Sequence, residues 1–328
     1  MSPETAASLR TKLVDRRKRL EEAVAERGTL DDLVALVEQV DSALRRMENH
    51  TYGTCTVCGE GIEEGDLLRN PFVEYCLCRL SDQQQAALQH DLDLAQRIQR
   101  GLLPPQDVHA AGWEAHYRYQ PAGPVSGDYC DLLTAGDGRE DLYFAVADVS
   151  GKGVSAALLM AHLNASFRSL IQVGLPLPEI LSRQNRLLLD SHLPSQYATL
   201  VCGRARRGGV VEICNAGHWP PLVARRDRIE ALEEGGVPIG MIGDRRYETA
   251  TVRLEPGETL FLYTDGLIEA RDGGDTEFGA ARVSDLLSRH RALAPRALAD
   301  AFLINLAEFL RGSRPSDDLS LMAIRREA

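Results

Sequence analysis

The sequence predicts an α+β sandwich preceded by a helical hairpin and a small cysteine-rich module. Three observations carry this. Apolar, β-type runs at 113–120, 142–147, 197–205, 210–214, 249–254, 259–263 and 319–324 are joined mostly through turns. Helical patterns fall in separate blocks, at about 153–172, 178–192, 279–290 and 295–311. Strands and helices kept in separate blocks favour a layered α+β sandwich over an alternating doubly wound sheet. The third observation is the helical periodicity of residues 1–49.

Leu9, Leu13, Leu20 and Val24 recur near helical spacing across 5–27. Gly28-Thr29 breaks this helix, and Thr29 is placed to cap a second, with Asp31 and Asp32 in its first turn. That helix carries Leu33, Leu36, Val37, Val40 and Leu44 and ends near Asn49. Two helices of similar length with a tight turn make a hairpin over 1–49. Residues 50–80 are dense in Cys and Gly. A linker helix follows over 81–104, with Leu88, Leu92, Ala95 and Leu102 near heptad spacing, a seam suited to a homodimer, until Pro104-Pro105 stops it. The sandwich domain occupies 105–328.

The chain has 328 residues, 44% hydrophobic and 26% charged, as in ordinary globular proteins. A net charge of −11 argues against binding nucleic-acid backbones, which needs clustered Lys and Arg. The basic run Arg16-Arg17-Lys18-Arg19 reads as a solvated helix face. No uninterrupted apolar run reaches the roughly 18 residues of a membrane span, so a cytoplasmic protein is expected. Cys130, Cys202 and Cys214 sit in apolar surroundings and read as buried thiols.

The other four cysteines form a pattern: Cys55-Thr-Val-Cys58, seventeen residues, then Cys76-Leu-Cys78. Four thiolates hold Zn²⁺ tetrahedrally and stabilise a segment with little core. A redox role for Cys55 and Cys58 lacks the βαβ context of such motifs. The run from Ala43 through Tyr52-Gly53 to Ile62, followed by Pro71 and Tyr75-Cys76, resembles the zinc finger of the DksA/TraR family over residues 40–80. The resemblance implies a structural Zn²⁺ on Cys55, Cys58, Cys76 and Cys78. That family has two residues between its last cysteines where this chain has only Leu77, so His50 or His90 is an alternative fourth ligand. Its members bind RNA polymerase through an acidic tip. The turn at 26–32 departs from that tip, and a structural or sensory role for the finger is expected.

Aspartates mark four further stretches: Ser126-Gly127-Asp128-Tyr129-Cys130-Asp131, Asp148-Val149-Ser150-Gly151-Lys152-Gly153, Thr264-Asp265-Gly266 and Ser316-Asp317-Asp318. Most lie at the edge of a strand-like run. Carboxylates gathered from strand ends suit hard cations such as Mg²⁺ or Mn²⁺, and two such ions can activate a water and clamp a phosphoryl group. With Ala95-Gln-Arg-Ile98-Gln-Arg-Gly-Leu-Leu103-Pro104, Asn215-Ala-Gly-His218, Pro238-Ile-Gly240 and Glu269-Ala270, these motifs resemble the PPM-type (type 2C) metal-dependent serine/threonine phosphatases over residues 95–326. The nearest branch is that of bacterial stress-response and sporulation regulators.

That resemblance implies an α-β-β-α sandwich with two Mn²⁺ or Mg²⁺ ions. Asp148 would bridge them, the Val149 carbonyl would be a ligand, and Asp265 and Asp317 would bind the first ion. Asp128 or Asp131 would serve the second. Asp318 would point away and hydrogen-bond. Asn215 and His218 read as a structural turn, with His218 as an acid the other reading. The implied reaction is in-line attack by an activated water on phosphoserine or phosphothreonine, with no phosphoenzyme. The implied substrate is an anti-anti-sigma-type protein in a partner switch. The competing reading is an RNA-polymerase-associated or signalling scaffold with an inactive phosphatase-like domain. A nucleotide-hydrolysing enzyme is disfavoured, since no phosphate-cradling Gly-x4-Gly-Lys-Ser/Thr loop is present.

Overall fold

The structure, a computed structural model, describes residues 3–27, 31–56, 59–74, 82–135, 141–191, 196–233, 235–313 and 317–327. The chain divides into two units, residues 1–89 and 90–328, so the boundary falls inside the third long helix.

In the first unit, α1 (Pro3–Arg27) packs along α2 (Asp31–Glu48), and a short α3 (Glu64–Arg69) follows. Leu9 and Leu13 of α1 meet Val40 and Ala43 of α2, and Tyr52, Cys55, Ile62 and Leu67 complete this small core. The segment after α2 is drawn in by Arg46, whose guanidinium donates to the carbonyls of Val73 and Thr54, both at 3.2 Å. Around Cys55 the chain turns back on itself: the Cys55 amide donates to the Glu60 carbonyl at 2.8 Å and the Gly59 amide to the Cys55 carbonyl at 2.9 Å. Cys58, Cys76 and Cys78 lie outside the described residues. His50 is exposed, with φ of 57°.

After α4 (Asp82–Leu102) the order is β1 (Asp107–Ala110), β2 (Trp113–Gln120), β3 (Tyr129–Ala135), β4 (Asp141–Val149), α5 (Val154–Gln172) and α6 (Leu177–Asp190). Then come β5 (Ala198–Arg206), β6 (Val210–Ala216), β7 (Leu222–Ala224), β8 (Ile229–Ala231), β9 (Ala250–Arg253) and β10 (Thr259–Tyr263). A one-turn α7 (Asp265–Ile268), α8 (Gly279–His290), α9 (Pro295–Leu310) and β11 (Leu319–Arg326) complete the order. Two antiparallel sheets form, ordered β1-β2-β11-β10-β7-β8 and β3-β4-β5-β6-β9.

Three apolar layers stack these elements, giving the expected α-β-β-α sandwich. Between the sheets lie Trp113, Tyr117, Phe144, Val146, Leu260, Leu262, Met322 and Ile324. Outside the five-stranded sheet, α5 and α6 bury Leu159, Leu163, Phe167 and Ile180 against Tyr129, Ala145 and Ala147. Outside the six-stranded sheet, α8 and α9 bury Leu286, Leu298 and Phe302 against Phe261, Tyr263 and Leu321. Each fully buried large side chain contributes about 1.5–3 kcal/mol. At 19 residues α5 is long and apolar enough to cross a membrane, but its apolar face is the one packed on the sheet.

β4 is covered on both faces and therefore reads as a continuous apolar run. Leu142, Phe144 and Val146 point between the sheets, and Tyr143, Ala145 and Ala147 point to the helices. That alternation decides where the acids at the strand ends go.

Candidate active site

Asp148 continues the parity of Phe144 and Val146, so it stands at the end of β4 on the side between the sheets. Its pKa is raised to about 7, first by burial and then by the carboxylates of Asp265, Asp317 and Asp318. Asp265, reached where β10 turns into α7, is raised by burial and then by Asp317 and Glu269. Asp317 lies two residues before β11, the strand hydrogen-bonded to β10. The pairing of β10 with β11 brings Asp265 and Asp317 together, and the end of β4 in the facing sheet places Asp148 in electrostatic contact with both. Glycine permits it: a Cβ on Gly266 would stand 1.9 Å from the Asp318 carbonyl oxygen. A Cβ on Gly127 would press on the Val149 carbonyl oxygen, at 3.0 Å, and on the Ala156 Cβ, at 3.2 Å. The loop before β3 therefore lies directly over the backbone that follows Asp148.

The two acids of that loop part company. Asp128 is buried beside Asp148 and pushed well above the ordinary carboxyl range, by burial first and Asp148 next. Its Oδ2 accepts from Thr264 Oγ1 at 3.0 Å, while its Oδ1 has no hydrogen-bond partner. Asp131 is three residues on, an odd step, and β3 turns it to the helix side. There its oxygens accept from Arg168 Nε and Nη2, both at 2.8 Å, and from the Tyr129 hydroxyl at 2.7 Å. Of the pair considered for the second ion, only Asp128 is with the cluster. Asp131 is buried in an ion pair with Arg168.

Asp318 is a hydrogen-bonding partner, as its position beside Asp317 suggested. It accepts from the Ala122 amide at 2.7 Å and the Gly127 amide at 2.9 Å, and so fastens the Asp128 loop to the start of β11. Asn215 and His218 form a closed turn: the His218 amide donates to Asn215 Oδ1 at 2.8 Å and Asn215 Nδ2 donates to the His218 carbonyl at 3.0 Å. The buried His218 ring donates from Nε2 to the Tyr263 carbonyl at 3.1 Å and accepts at Nδ1 from Thr199 Oγ1 at 2.8 Å. Burial lowers its pKa to about 4, so it is neutral at physiological pH, with its one ring proton on Nε2 donated to a backbone oxygen. It steadies the end of β10.

Sequence reasoning assigned no role to Lys152, Gln99 or Thr264. Lys152 donates to Asp317 Oδ2 at 2.9 Å and lowers the pKa of Asp148 and Asp265, so it is the cluster's counter-charge. The side-chain amide of buried Gln99 pairs with the backbone of Ser126. The visible signal for Gln99 was its place on the Ala95–Leu102 face of a helix, polar at an apolar position. Thr264 ties Asp128 to both strands, accepting from the Ser320 amide at 2.9 Å.

The donor set is entirely hard oxygen, as Mn²⁺ or Mg²⁺ requires. A buried carboxylate oxygen on Asp128 with no hydrogen bond, next to a second raised carboxyl, is a costly group that a divalent cation would satisfy. The residues therefore fit a divalent ion. Among the described residues no three His, Cys, Asp or Glu side chains already surround one point, so the acids form a facing set and not a finished cage. A cavity of about 270 Å³ opens onto them, lined by Asp148, Asp265, Thr199, Gly217, His218, Trp219 and Pro220. A larger one, about 620 Å³, lies apart from these acids, beside Leu103, Leu132 and Arg168.

Protein IcfG of Synechocystis is 26% identical over 269 residues, covering 72% of this chain and 41% of its own. Phosphoserine phosphatase RsbU of Bacillus subtilis is 25% identical over 249 residues, covering 74% of this chain and 72% of its own. The chain thus spans less than half of IcfG and about three-quarters of RsbU. Among solved structures, the SiaA-PP2C domain of Pseudomonas aeruginosa superposes with a TM-score of 0.65 at 23% identity, covering 75% of this chain and 99% of that domain. It has the same fold. The sequence profile of the family described as Stage II sporulation protein E (SpoIIE) matches residues 138–327, well over half of the chain, which takes in Asp148, Asp265 and Asp317. On that match, this chain belongs to the SpoIIE family.

Proposed function

We propose that the chain is a metal-dependent protein phosphatase that hydrolyses phosphoserine or phosphothreonine. The observation that carries this is the convergence of Asp128, Asp148, Asp265 and Asp317 from four separate segments, with burial and mutual repulsion raising Asp128, Asp148 and Asp265. Asp148 and Asp265 line the cavity that would receive the phosphoryl group. Asp148, Asp265, Asp317, Asp128 and the Val149 carbonyl would hold two Mn²⁺ or Mg²⁺ ions. Bound there, such ions supply an activated water and positive charge for the phosphoryl oxygens. The chain's own residues hold the acids in place and set their charge: Lys152 offsets it, Thr264 and Asp318 fix the Asp128 loop, and His218 fixes the strand before Asp265. No neutral acid faces the leaving oxygen from His218, whose ring proton is engaged.

The substrate class follows from relatives named phosphoserine phosphatases, RsbU among them. We read the substrate as a phosphorylated anti-anti-sigma-type protein of a partner switch in the cytoplasm. Phosphate release from a phosphoserine protein that needs Mn²⁺ and stops with chelator tests the activity. Release unaffected by chelator would refute it.

Two finer readings concern the amino-terminal residues. The tight turn at buried Cys55, with Gly59 at φ of 75°, supports a structural Zn²⁺ on the Cys55, Cys58, Cys76 and Cys78 set. Native mass spectrometry showing no zinc on the purified chain would overturn it. Of the seam expected from the heptad spacing, Leu88 is 45% exposed and Leu92, Ala95 and Leu102 are half-buried, and the exposed Leu88 supports homodimer pairing through α4. Sedimentation as a monomer at micromolar concentration would exclude it.

A further inference from the structure

Trp219 stands out against its surroundings. The chain has two tryptophans. Trp113 is buried between the sheets, whereas Trp219 is 40% exposed and lines the cavity that also exposes Asp148 and Asp265. Burying an indole removes 150–250 Å² from water, so leaving one exposed forgoes a large stabilisation. An exposed aromatic is unremarkable alone, but this one is held at the mouth of a charged cavity by a rigid mount.

The mount is built residue by residue. Gly217 has φ of 71°, and a Cβ there would meet the Pro238 ring at 2.5 Å. Asn215 and His218 close the turn through two hydrogen bonds, and the His218 ring is anchored at both nitrogens. Pro220 and Pro221 follow, and the Pro221 carbonyl accepts from the Leu232 amide at 2.9 Å. Trp219 is therefore presented on a backbone with little freedom left to lose. A preorganised aromatic contributes binding energy at low entropic cost.

Charge points to the kind of ligand Trp219 serves. The protein carries −11 overall, and the cavity floor is carboxylate. Beyond Asp148 and Asp265, the cavity's lining includes Gly217, Trp219 and Pro220, which offer a bound polypeptide apolar contact and no charge. Apolar contact at the rim is the available source of affinity for the rest of the substrate.

Resting on the phosphatase reading, we propose that Trp219 is a specificity-determining residue that packs against an apolar residue flanking the phosphoserine of a protein substrate. The phosphoryl group then reaches toward Asp148 and Asp265 while the neighbouring side chain covers the indole.

The test uses the full chain with Mn²⁺, p-nitrophenyl phosphate and two synthetic phosphoserine peptides of about a dozen residues, one with Leu and Val beside the phosphoserine and one with Gly and Ser. The wild-type chain is expected to favour the apolar-flanked peptide by about tenfold in kcat/KM, mostly through KM. Trp219→Ala should bring that ratio close to one, and Trp219→Phe should leave it between the two. An unchanged ratio in Trp219→Ala, or no preference in the wild type, overturns the proposal. So does an equal loss on both peptides and on p-nitrophenyl phosphate, which marks Trp219 as structural. A wild-type chain that hydrolyses none of the three overturns the phosphatase reading, and this inference with it.

Discussion

The side chain of Gln99 on α4 is hydrogen-bonded to both backbone groups of Ser126: Nε2 donates to the Ser126 carbonyl at 2.7 Å, and the Ser126 amide donates to Oε1 at 3.0 Å. Ser126 lies two residues before Asp128, and its hydroxyl accepts from the Asp128 amide at 3.1 Å. A helix outside the sandwich thereby fixes an acid of the candidate site. Gln99→Leu would leave two buried backbone groups unpaired, at a cost of about 1–3 kcal/mol each. The expected outcome is a lower urea midpoint together with weaker Mn²⁺ binding by calorimetry. Loss of stability with unchanged Mn²⁺ affinity would separate Gln99 from the site.

The raised Asp148 fixes the sign of a pH dependence. An unfolded carboxyl loses its proton near pH 4, whereas Asp148 in the fold keeps it to about pH 7. Between those values the folded state binds more protons. The stabilisation is therefore fully present below about pH 4 and lost as pH rises through 7. Asp128 and Asp265 shift in the same direction. Buried neutral His218 acts in the opposite sense only up to about pH 6.5, so the chelator-treated protein should lose stability between about pH 6.5 and pH 8. Added Mn²⁺ should raise Tm more at pH 8 than at pH 6, because protons compete for the same oxygens. A chelated protein more stable at about pH 8 than at about pH 6.5 would contradict the facing-acid arrangement.

Asp131 and Arg168 give a contrasting pair. Removing the guanidinium with Arg168→Met strands a buried carboxylate and should cost about 3–5 kcal/mol. Denaturant unfolding measures that loss. Mn²⁺ affinity at a temperature where the variant stays folded should change by less than about threefold, since Asp131 points to the helix layer. A large loss of Mn²⁺ affinity in Asp131→Asn, with the fold intact, would return Asp131 to the ligand set.

Much of this arrangement was legible in the residues. The strands at 113–120 and 259–263 and the helix at 279–290 fall where their patterns placed them, because each is a strong apolar or periodic run with a clear break at its ends. β3 was not foreseen, since its buried Asp131 breaks the apolar run and is tolerated through its ion pair with Arg168, far along the chain. Missing that strand is also why Asp128 and Asp131 looked equivalent: their odd separation has meaning only once the segment is extended. β1, β7 and β8 span only three or four residues, too few to show a period. The acids at 148, 265 and 317 were readable because they end or open strong runs. Lys152 and Gln99 were not, since their partners lie 165 and 27 residues away.

The central claim is that Asp148 joins the facing acids in holding a catalytic metal, and p-nitrophenyl phosphate hydrolysis tests it most directly. The full chain and Asp148→Asn should be compared with Mn²⁺ and with chelator, with circular dichroism confirming the fold. The account predicts hydrolysis by the wild type only with Mn²⁺, and a fall of about a thousandfold or more in Asp148→Asn at unchanged circular dichroism. Hydrolysis that persists in chelator, or that survives in Asp148→Asn, would contradict it.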